Sequence, residues 1–367
     1  MLAHVQRIVI KIGSAILVDA NTNRLRDRWL SALADDLSSF ADKDIILVSS
    51  GAIALGRQRL GLQNQSLTLP QKQACAAAGQ SRLTRAYDDA LGAKGLMTAQ
   101  ALLTLNDTEN RRRWLNARST LNTLLELGTI PIINENDTVA TDEIRYGDND
   151  RLAARTAQMV GADLLILLSD IDGLYTADPR LDPSAKHLPE ISEISDEIRA
   201  MGGEPNLETG MGSGGMATKV TAAEIATSAG CDMIICDGRE AGALGTLLSG
   251  GKHSRFIATS NPKKARAQWI AGSLKPRGRL EIDPGAEKAL LSGSSLLPAG
   301  VIAVIGEFSK GDAVSVQCEG REIARGLVAY DHPQADRIKG LKSGDIAKAL
   351  GYDNGAALIH RDNLVML

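Results

Sequence analysis

Short apolar runs that end abruptly in small or polar residues constrain this chain more than any other feature. The run 130–133 is followed at once by four polar residues, 134–137. The runs 45–48, 164–168 and 233–236 have the same form, and segments of helical spacing lie between them. Buried parallel strands read as continuous apolar runs and deliver their carboxyl ends into a polar crevice. The pattern predicts an α/β fold built from βαβ units, with its chemistry at the strand ends.

Residues 130–155 place two polar clusters at the two ends of one loop. Asn134 and Asp137 follow the strand, and Asn149 and Asp150 precede a segment of helical composition, where either could be the N-cap. Carboxylates hold an ammonium, and amides and backbone N–H groups hold a carboxylate. The arrangement suits a small zwitterion. The alternative is a solvated connection whose polar residues only form turns and caps.

Two earlier strand ends offer groups that bind anions. Residues 5–10 form an apolar strand that runs into Lys11, Gly13 and Ser14. A lysine followed by a glycine turn can present an ammonium and backbone donors to an anion. In isolation, Lys11 is better explained as an ordinary lysine at a strand edge. Ser50 ends the next strand, and it either binds a ligand's carboxylate or caps the helix that follows.

A later strand, 164–168, ends in Ser169 and Asp170. Strand ends rich in aspartate can coordinate hydrated Mg²⁺ or hold a ribose. The Asp-Gly pair that follows would also simply make a turn.

The stretch 210–219 is the most glycine-dense part of the chain. It contains the letters GxGxxG of a dinucleotide fingerprint, but the residues before it form no strand, which that fingerprint requires. It also lacks the GxxxxGK[ST] spacing of a P-loop. A glycine loop that feeds a helix over 218–229 remains, with Lys219 in the first turn. Free N–H groups, the positive helix end and the ammonium together predict a phosphate site.

Composition argues against several functional classes. The 367 residues suffice for two domains, and a net charge of -3 creates no field toward nucleic acid or anionic membranes. No apolar run approaches the length of a transmembrane helix, and the first strand leaves no room for a signal peptide. The cysteines form no CxxC pair and the histidines no HExxH, which argues against structural zinc, disulfides and a thiol nucleophile. We expect a cytoplasmic protein.

The end of the chain has a different pattern. A basic, irregular segment is predicted as a linker over 258–277. From residue 278 onward, short β runs alternate with glycine and proline turns, which suggests a small barrel.

Five motifs in this order resemble the amino-acid kinase family, and within it the members that phosphorylate glutamate. They are KIGS at 11–14, SSGAIALGR at 49–57, PIINENDTVATDEIRYGDND at 131–150, SDIDGLYTADPR at 169–180 and GSGGMATK at 212–219. The resemblance covers nearly the whole chain, and the tail resembles an appended PUA domain. It implies a three-layer αβα sandwich with a mainly parallel sheet over 1–257, the linker 258–277 and a PUA-like, β-barrel-like domain over 278–367.

The resemblance also implies a reaction and the residues that perform it. MgATP would phosphorylate the γ-carboxylate of L-glutamate, the first step toward proline. Lys11, Lys219 and Asp150 would be catalytic, with Asp150 orienting the lysines or binding the metal through water. The glutamate contacts would be Ser50, Asp137, Asn149 and Asn134. The nucleotide contacts would be Lys11, Ser169, Asp170, Ser213, Gly214, Gly215, Met216, Ala217, Thr218 and Lys219. Ala15 stands where the family usually has a hydroxyl, so a side-chain contact to phosphate is not expected there.

The resemblance further implies a homo-oligomer, feedback inhibition by proline and transfer of the product to glutamyl phosphate reductase. Aspartokinase, acetylglutamate kinase and uridylate kinase would share the fold, but the NENDTVAT loop and the β tail favour glutamate. RNA binding by the PUA-like tail is disfavoured but open, because aromatic residues are few there and basic residues alternate with acidic ones. A nucleotide-dependent oxidoreductase would rest on the GxGxxG letters alone.

Overall fold

The computed structural model of the chain describes residues 2, 4–19, 22–40, 42–63, 65–139, 149–203, 215–272, 275–352 and 355–367. They form two compact units, one of residues 1–110 and 116–262, the other of residues 111–115 and 263–367. The division after residue 262 falls inside the predicted linker 258–277. Part of that segment is helical rather than irregular, because no proline or glycine interrupts it between Pro262 and Gly272.

The larger unit is built from alternating strands and helices. The strands up to residue 256 are β1 (Arg7–Ile12), β2 (Asp44–Ser49), β3 (Met97–Leu103), β4 (Thr129–Glu135), β5 (Leu164–Ser169), β6 (Leu174–Tyr175), β7 (His187–Leu188), β8 (Glu190–Ile191), β9 (Asp232–Asp237) and β10 (His253–Phe256). The helices up to residue 272 are α1 (Ser14–Leu17), α2 (Asp27–Ser38), α3 (Ala52–Leu60), α4 (Leu69–Gly92), α5 (Leu105–Glu109), α6 (Arg111–Glu126), α7 (Asn149–Val160), α8 (Asp196–Met201), α9 (Met216–Ser228), α10 (Ala243–Leu248) and α11 (Pro262–Gly272). Of these, the first residues of α6 (111–115) and α11 from residue 263 onward are assigned to the second unit.

Eight of the described strands form one sheet, in the order β3-β4-β2-β1-β5-β9-β10-β8. Every neighbouring pair in it is parallel except β9 and β10, which are antiparallel. The predicted mainly parallel sheet is therefore confirmed. The strand order reverses at β1, which lies between β2 on one side and β5 on the other. Open α/β sheets bind ligands at such a switch point, beyond the carboxyl ends of the strands.

The two faces of the sheet carry different helices. Ile8, Ile10 and Ile12 of β1 share one buried cluster with side chains of α2, α3, α4 and α10. Successive side chains of a strand point to opposite faces, so Val9 and Lys11 face the other side. There α7 packs on β1 and against α9. The alternation within β1 thus turns Lys11 toward the face of the sheet that α7 covers.

Helices α3 and α4 approach each other unusually closely. A Cβ atom on Gly56 would lie 1.7 Å from the Cys75 carbonyl oxygen, and one on Gly79 would lie 1.8 Å from that of Ala52. Only glycine fits at either position, because both obstacles are backbone atoms. The start of α4 is fixed separately by a capping box between Thr68 and Gln71.

The second unit contains a five-stranded sheet within its described residues, in the order β12-β11-β13-β14-β15. These strands are β11 (Gly278–Ile282), β12 (Val301–Gly306), β13 (Ala313–Cys318), β14 (Arg321–Leu327) and β15 (Leu364–Met366), joined by helices α12 (Pro284–Leu291), α13 (His332–Ile338) and α14 (Ile346–Leu350). Its core is separate from that of the sheet described above and includes Leu280, Val316, Tyr330 and Ile338. The small β domain predicted for the end of the chain is confirmed.

Candidate active site

The carboxyl ends of the central strands finish at the same level of the sheet. Ile12, the last residue of β1, pairs with Ser49 of β2 and with Leu168 of β5. Val48 of β2 in turn pairs with Ile133 of β4. The predicted site residues that follow these strands therefore lie along one edge, on both sides of the switch point.

A buried ion triad occupies this edge. Lys11 Nζ lies 2.6 Å from Asp150 Oδ1, and Lys219 Nζ lies 2.8 Å from Asp150 Oδ2. The Asp150 side chain is 1% exposed, and the two lysine side chains are 10% and 6% exposed. Three residues that are far apart in sequence, from β1, α7 and α9, are thus brought together by the fold. All three were predicted as catalytic.

The triad carries an excess of one positive charge. Burial alone raises the pKa of Asp150, but Lys11 and Lys219 outweigh burial and hold that pKa well below its ordinary value. Asp150 is therefore ionised at neutral pH, and it holds both ammonium groups in place. Of the two roles expected for Asp150, the contacts support the orientation of the lysines.

The start of α9 adds further groups that bind anions. The helix begins at Met216, two residues earlier than predicted, and its N-cap is Gly215, which has no side chain to cap the first turn. Thr218 Oγ1 lies 3.2 Å from Asp150 Oδ2 and donates to the Gly215 carbonyl at 2.8 Å. First-turn N–H groups and the positive helix end therefore accompany Lys219.

A second cluster, of amides and a hydroxyl, lies beside the triad. Asn149 Nδ2 contacts the Ser50 hydroxyl at 2.7 Å, the Ser49 carbonyl at 3.1 Å and Asn134 Oδ1 at 3.1 Å. Asn149 and Asp150 are the first two residues of α7, and these side chains bind other elements instead of acting as N-caps. Likewise, the N-cap of α3 is Gly51 and not Ser50. The structure therefore disagrees with the capping alternative for these three side chains.

Asp137 is a buried carboxylate close to the end of β4. It is 9% exposed and makes no hydrogen bond or ion pair with any residue that the structure describes. Burial raises its pKa to about 6. A buried carboxylate is costly unless a cation pairs with it, and none of the described residues supplies one to Asp137, so this position suits a ligand that brings a positive charge.

The other predicted residues that the structure describes lie on the β5 side. Ser169 is buried and donates to the Asp170 carboxylate at 3.2 Å, while Asp170 itself is exposed. Gly215, Met216, Ala217 and Thr218 lie at the start of α9. Ser213 and Gly214 lie outside the described residues. All the assigned contacts with nucleotide and amino acid stay predictions.

Sequence reasoning missed two contributors to the amide cluster. Gln80 of α4 accepts from Asn134 Nδ2 through its Oε1 at 2.8 Å. The buried Tyr87 hydroxyl contacts Ser49 Oγ at 2.9 Å. Both belong to a helix whose sequence reads as an ordinary amphipathic segment, so no local signal marks them.

The described residues also contain a cavity outside the candidate site, but no metal-binding cluster and no membrane-spanning helix. A surface cavity of about 590 Å³, lined by side chains of α4 and β3 such as Asp88 and Gln100, contains none of the predicted site residues. In the part of the chain that the structure describes, no three His, Cys, Asp or Glu side chains are close enough to hold a metal ion. No described helix is long and apolar enough to cross a membrane.

Comparison with known proteins identifies the class. The model of the amino acid kinase family matches residues 6–237, and that of the PUA domain matches residues 278–350. The UMP kinase of Ureaplasma parvum, a solved structure, covers 69% of this chain and 99% of its own, with a TM-score of 0.47 and 16% identity. The chain belongs to the amino acid kinase family, as its motifs suggested.

Full-length relatives narrow this assignment. The chain is 56% identical to the glutamate 5-kinase of Caulobacter vibrioides (strain NA1000 / CB15N), over 98% of this chain and 96% of that protein. It is 54% identical to the glutamate 5-kinase of Paramagnetospirillum magneticum, over 100% of this chain and 99% of that protein. Within the amino acid kinases, it groups with the glutamate 5-kinases.

Proposed function

We propose that the chain transfers the γ-phosphoryl group of ATP to the γ-carboxylate of L-glutamate and produces L-glutamyl 5-phosphate and ADP, the first step of proline biosynthesis. The observation that carries this proposal is the adjacency of Asn149 and Asp150. Asn149 joins the amide and hydroxyl cluster, and Asp150 joins the two lysines. One helix start therefore couples a site for an amino acid to a site for phosphate.

The chemistry needs charge neutralisation more than a base. The acceptor carboxylate has an ordinary pKa of ~4.3, so it is already ionised at neutral pH. Bringing it to about 4 Å from a charged phosphoryl oxygen costs roughly 4 kcal/mol per charge pair at an effective dielectric of about 20. Lys11, Lys219 and the N-terminus of α9 are the groups that offset this repulsion. Phosphoryl transfer depends mainly on such positioning and electrostatic stabilisation.

The donor set also fits a magnesium-bound nucleotide. Mg²⁺ usually enters these sites with the phosphates, keeps several waters and uses one or two carboxylates, and it would add positive charge to the phosphates when bound. The Asp170 carboxylate is exposed at the end of β5 and is available for such an outer contact. Asp150 is not, because both of its oxygens contact lysine ammonium groups.

The direct test is to trap the acyl phosphate with hydroxylamine. With ATP, Mg²⁺ and L-glutamate, we expect γ-glutamyl hydroxamate, measured by its ferric complex or by mass spectrometry. Aspartate and N-acetylglutamate serve as competing acceptors in the same assay, since kinases of related fold phosphorylate compounds of these kinds. UMP is the third acceptor, and because its product is a phosphoanhydride that gives no hydroxamate, its phosphorylation is measured as UDP by mass spectrometry. Phosphorylation of one of these three in place of L-glutamate would contradict the proposal.

Asp137 is proposed to bind the substrate ammonium, which predicts a specific pH dependence. Its pKa is raised to about 6 by burial, so it loses its charge as the pH falls through that value. The KM for L-glutamate should rise about tenfold per pH unit below 6 and level off above 7. The substrate carboxylates stay ionised in this range. Initial rates between pH 5 and 8 measure the effect.

Asp137→Asn and Asp137→Ala provide the controls for this pH profile. Both should raise the KM for L-glutamate far more than the KM for ATP, and both should lack the transition near pH 6. Equal effects on the two substrates, or a transition that persists without the carboxylate, would remove Asp137 from the amino-acid site.

Several further expectations remain proposals. The kinase region 1–257, the linker 258–277 and the PUA-like region 278–367 are proposed as the domain division, and the cytoplasm as the location. A homo-oligomer, inhibition by proline and a functional partner in glutamyl phosphate reductase are proposed on family grounds. RNA binding by the PUA-like region would show as salt-dependent retention of RNA by the full chain.

A further inference from the structure

The hydroxyl of Thr84 fixes the orientation of the Gln80 side-chain amide. Thr84 Oγ1 donates to the Gln80 backbone carbonyl at 3.0 Å and also lies 3.3 Å from Gln80 Nε2. A hydroxyl has one proton, and here it is used on the carbonyl. Thr84 can therefore only accept from the Gln80 amide, so Nε2 faces Thr84 and Oε1 faces away from it.

The orientation of the Gln80 amide in turn determines that of the Asn134 amide. Gln80 Oε1 is an acceptor, and it lies 2.8 Å from Asn134 Nδ2. The Asn134 carbonyl oxygen therefore points back toward the strand ends. There it accepts from the backbone N–H of Glu135 at 2.9 Å and from Asn149 Nδ2 at 3.1 Å. The order of donors and acceptors along Thr84, Gln80, Asn134 and Asn149 is thus the same at every step.

The last member, Asn149, is left with an unused acceptor. Its Nδ2 faces three acceptors, the Ser49 carbonyl, Ser50 Oγ and Asn134 Oδ1. Its Oδ1 is buried and accepts no hydrogen bond from any residue that the structure describes. Ser50 Oγ accepts from Asn149, so its proton is left to donate. A buried acceptor without a donor costs roughly 1–3 kcal/mol, and a ligand that carries N–H groups would remove that cost.

We propose that Gln80 is a positioning residue for the amino-acid substrate. By accepting from Asn134, it keeps the carbonyl oxygen of Asn149 turned toward the substrate ammonium and leaves the Ser50 hydroxyl as a donor to a substrate carboxylate. If the Asn134 amide turned over, it would present N–H groups to Asn149. Asn149 would then turn its carbonyl oxygen toward Asn134, away from the substrate ammonium, and the Ser50 hydroxyl would no longer be left as a donor to the substrate carboxylate. This inference rests on the proposed function, because it assigns Gln80 to the glutamate side of the same site.

Gln80→Met tests the inference, since methionine retains the volume and removes both hydrogen-bonding groups. We expect the KM for L-glutamate to rise about tenfold, with kcat changed less than threefold and the KM for ATP unchanged. Gln80→Glu should rescue the KM to within about threefold of the original, because a carboxylate still accepts from Asn134. Ser81→Ala, the next residue on α4, is the matched control and should behave as the unaltered protein.

Three outcomes with the Gln80 variants would overturn the role of Gln80. They are an unchanged KM for L-glutamate in Gln80→Met, an equal rise in the KM for ATP, and a Gln80→Glu variant as impaired as Gln80→Met. A loss of fold in Gln80→Met would appear as a lowered thermal midpoint. In that case the Gln80→Glu and Thr84→Val variants decide whether Gln80 positions the substrate. Thr84→Val frees the Gln80 amide to turn, and it should raise the KM for L-glutamate about threefold; no rise would count against the inference. Absence of hydroxamate from the unaltered protein would instead reject the proposed function itself.

Discussion

Lys219→Ala is expected to lower kcat by roughly 10²–10³-fold, the range found when one preorganised electrostatic donor is removed from an active site. Lys219 is buried at the start of α9, and Asp150 holds its ammonium in place before any substrate binds. The transition state of phosphoryl transfer would therefore lose a cation that needs no reorganisation. The KM for L-glutamate should change much less, because the amide and hydroxyl cluster contacts Asn149, whereas Lys219 contacts Asp150.

Two further variants make the Lys219 result interpretable. Lys219→Met keeps most of the side-chain volume, so a loss of activity shared by both variants reflects the missing charge and not a cavity. Lys94→Met is the matched control: Lys94 also pairs with a carboxylate, that of Asp35, at 2.5 Å, but it is 41% exposed. A kcat for Lys219→Ala within a few-fold of that of Lys94→Met would exclude Lys219 from the mechanism.

Asp150→Asn is expected to reduce both stability and activity. It leaves two buried ammonium groups without their counterion, and breaking a buried ion pair from one side typically costs ~3–5 kcal/mol. We expect a loss of this size in urea unfolding and a fall in kcat of at least about tenfold as the lysines move apart. The isosteric amide excludes a change in packing as the cause.

A second substitution separates these effects. In Asp150→Asn with Lys11→Met, one uncompensated charge is removed, so part of the stability should return while activity stays low. If the double variant is less stable than Asp150→Asn alone, the repulsion between the lysines is not the source of the loss.

The same triad sets the response of the fold to acid. The pKa of Asp150 is lower in the folded chain than in the unfolded chain, so its contribution is complete above the ordinary carboxyl pKa of ~3.9. That contribution disappears as the pH falls toward the depressed value. Because Asp137 has a raised pKa, it acts in the opposite direction. Unless a cation binds, its cost to the stability of the fold grows as the pH rises from the ordinary carboxyl pKa of ~3.9 and is complete above about 6.

The sequence was sufficient to predict the mainly parallel sheet and the edge of that sheet where the candidate site lies. Apolar runs that end in polar residues are a local signal, and the motif resemblance identified Lys11, Lys219 and Asp150, which the structure brings together. The predicted start of α9 is two residues late because its N-cap, Gly215, gives no side-chain signal. The antiparallel strand β10 fell outside the strands predicted from the sequence, because its four residues include polar and charged side chains.

The contacts that orient the amides could not be predicted. Gln80 and Asn134 are 54 residues apart, and Asn149 and Ser50 are 99 apart. No periodicity or composition within either segment reports such a contact, because it depends on how α4 packs against the strand ends. Only the tertiary arrangement shows which way each amide faces.

The glycine contact between α3 and α4 also determines where Gln80 lies relative to the strand ends. Gly79 immediately precedes Gln80, and it allows α4 to rest directly on the backbone of α3 at Ala52. Any larger residue there would lift the helix and carry the Gln80 amide away from its neighbour. If Gln80 positions the substrate as proposed, replacement of Gly79 should lower the affinity for L-glutamate as well as the stability of the fold, although Gly79 itself offers no polar side-chain atom.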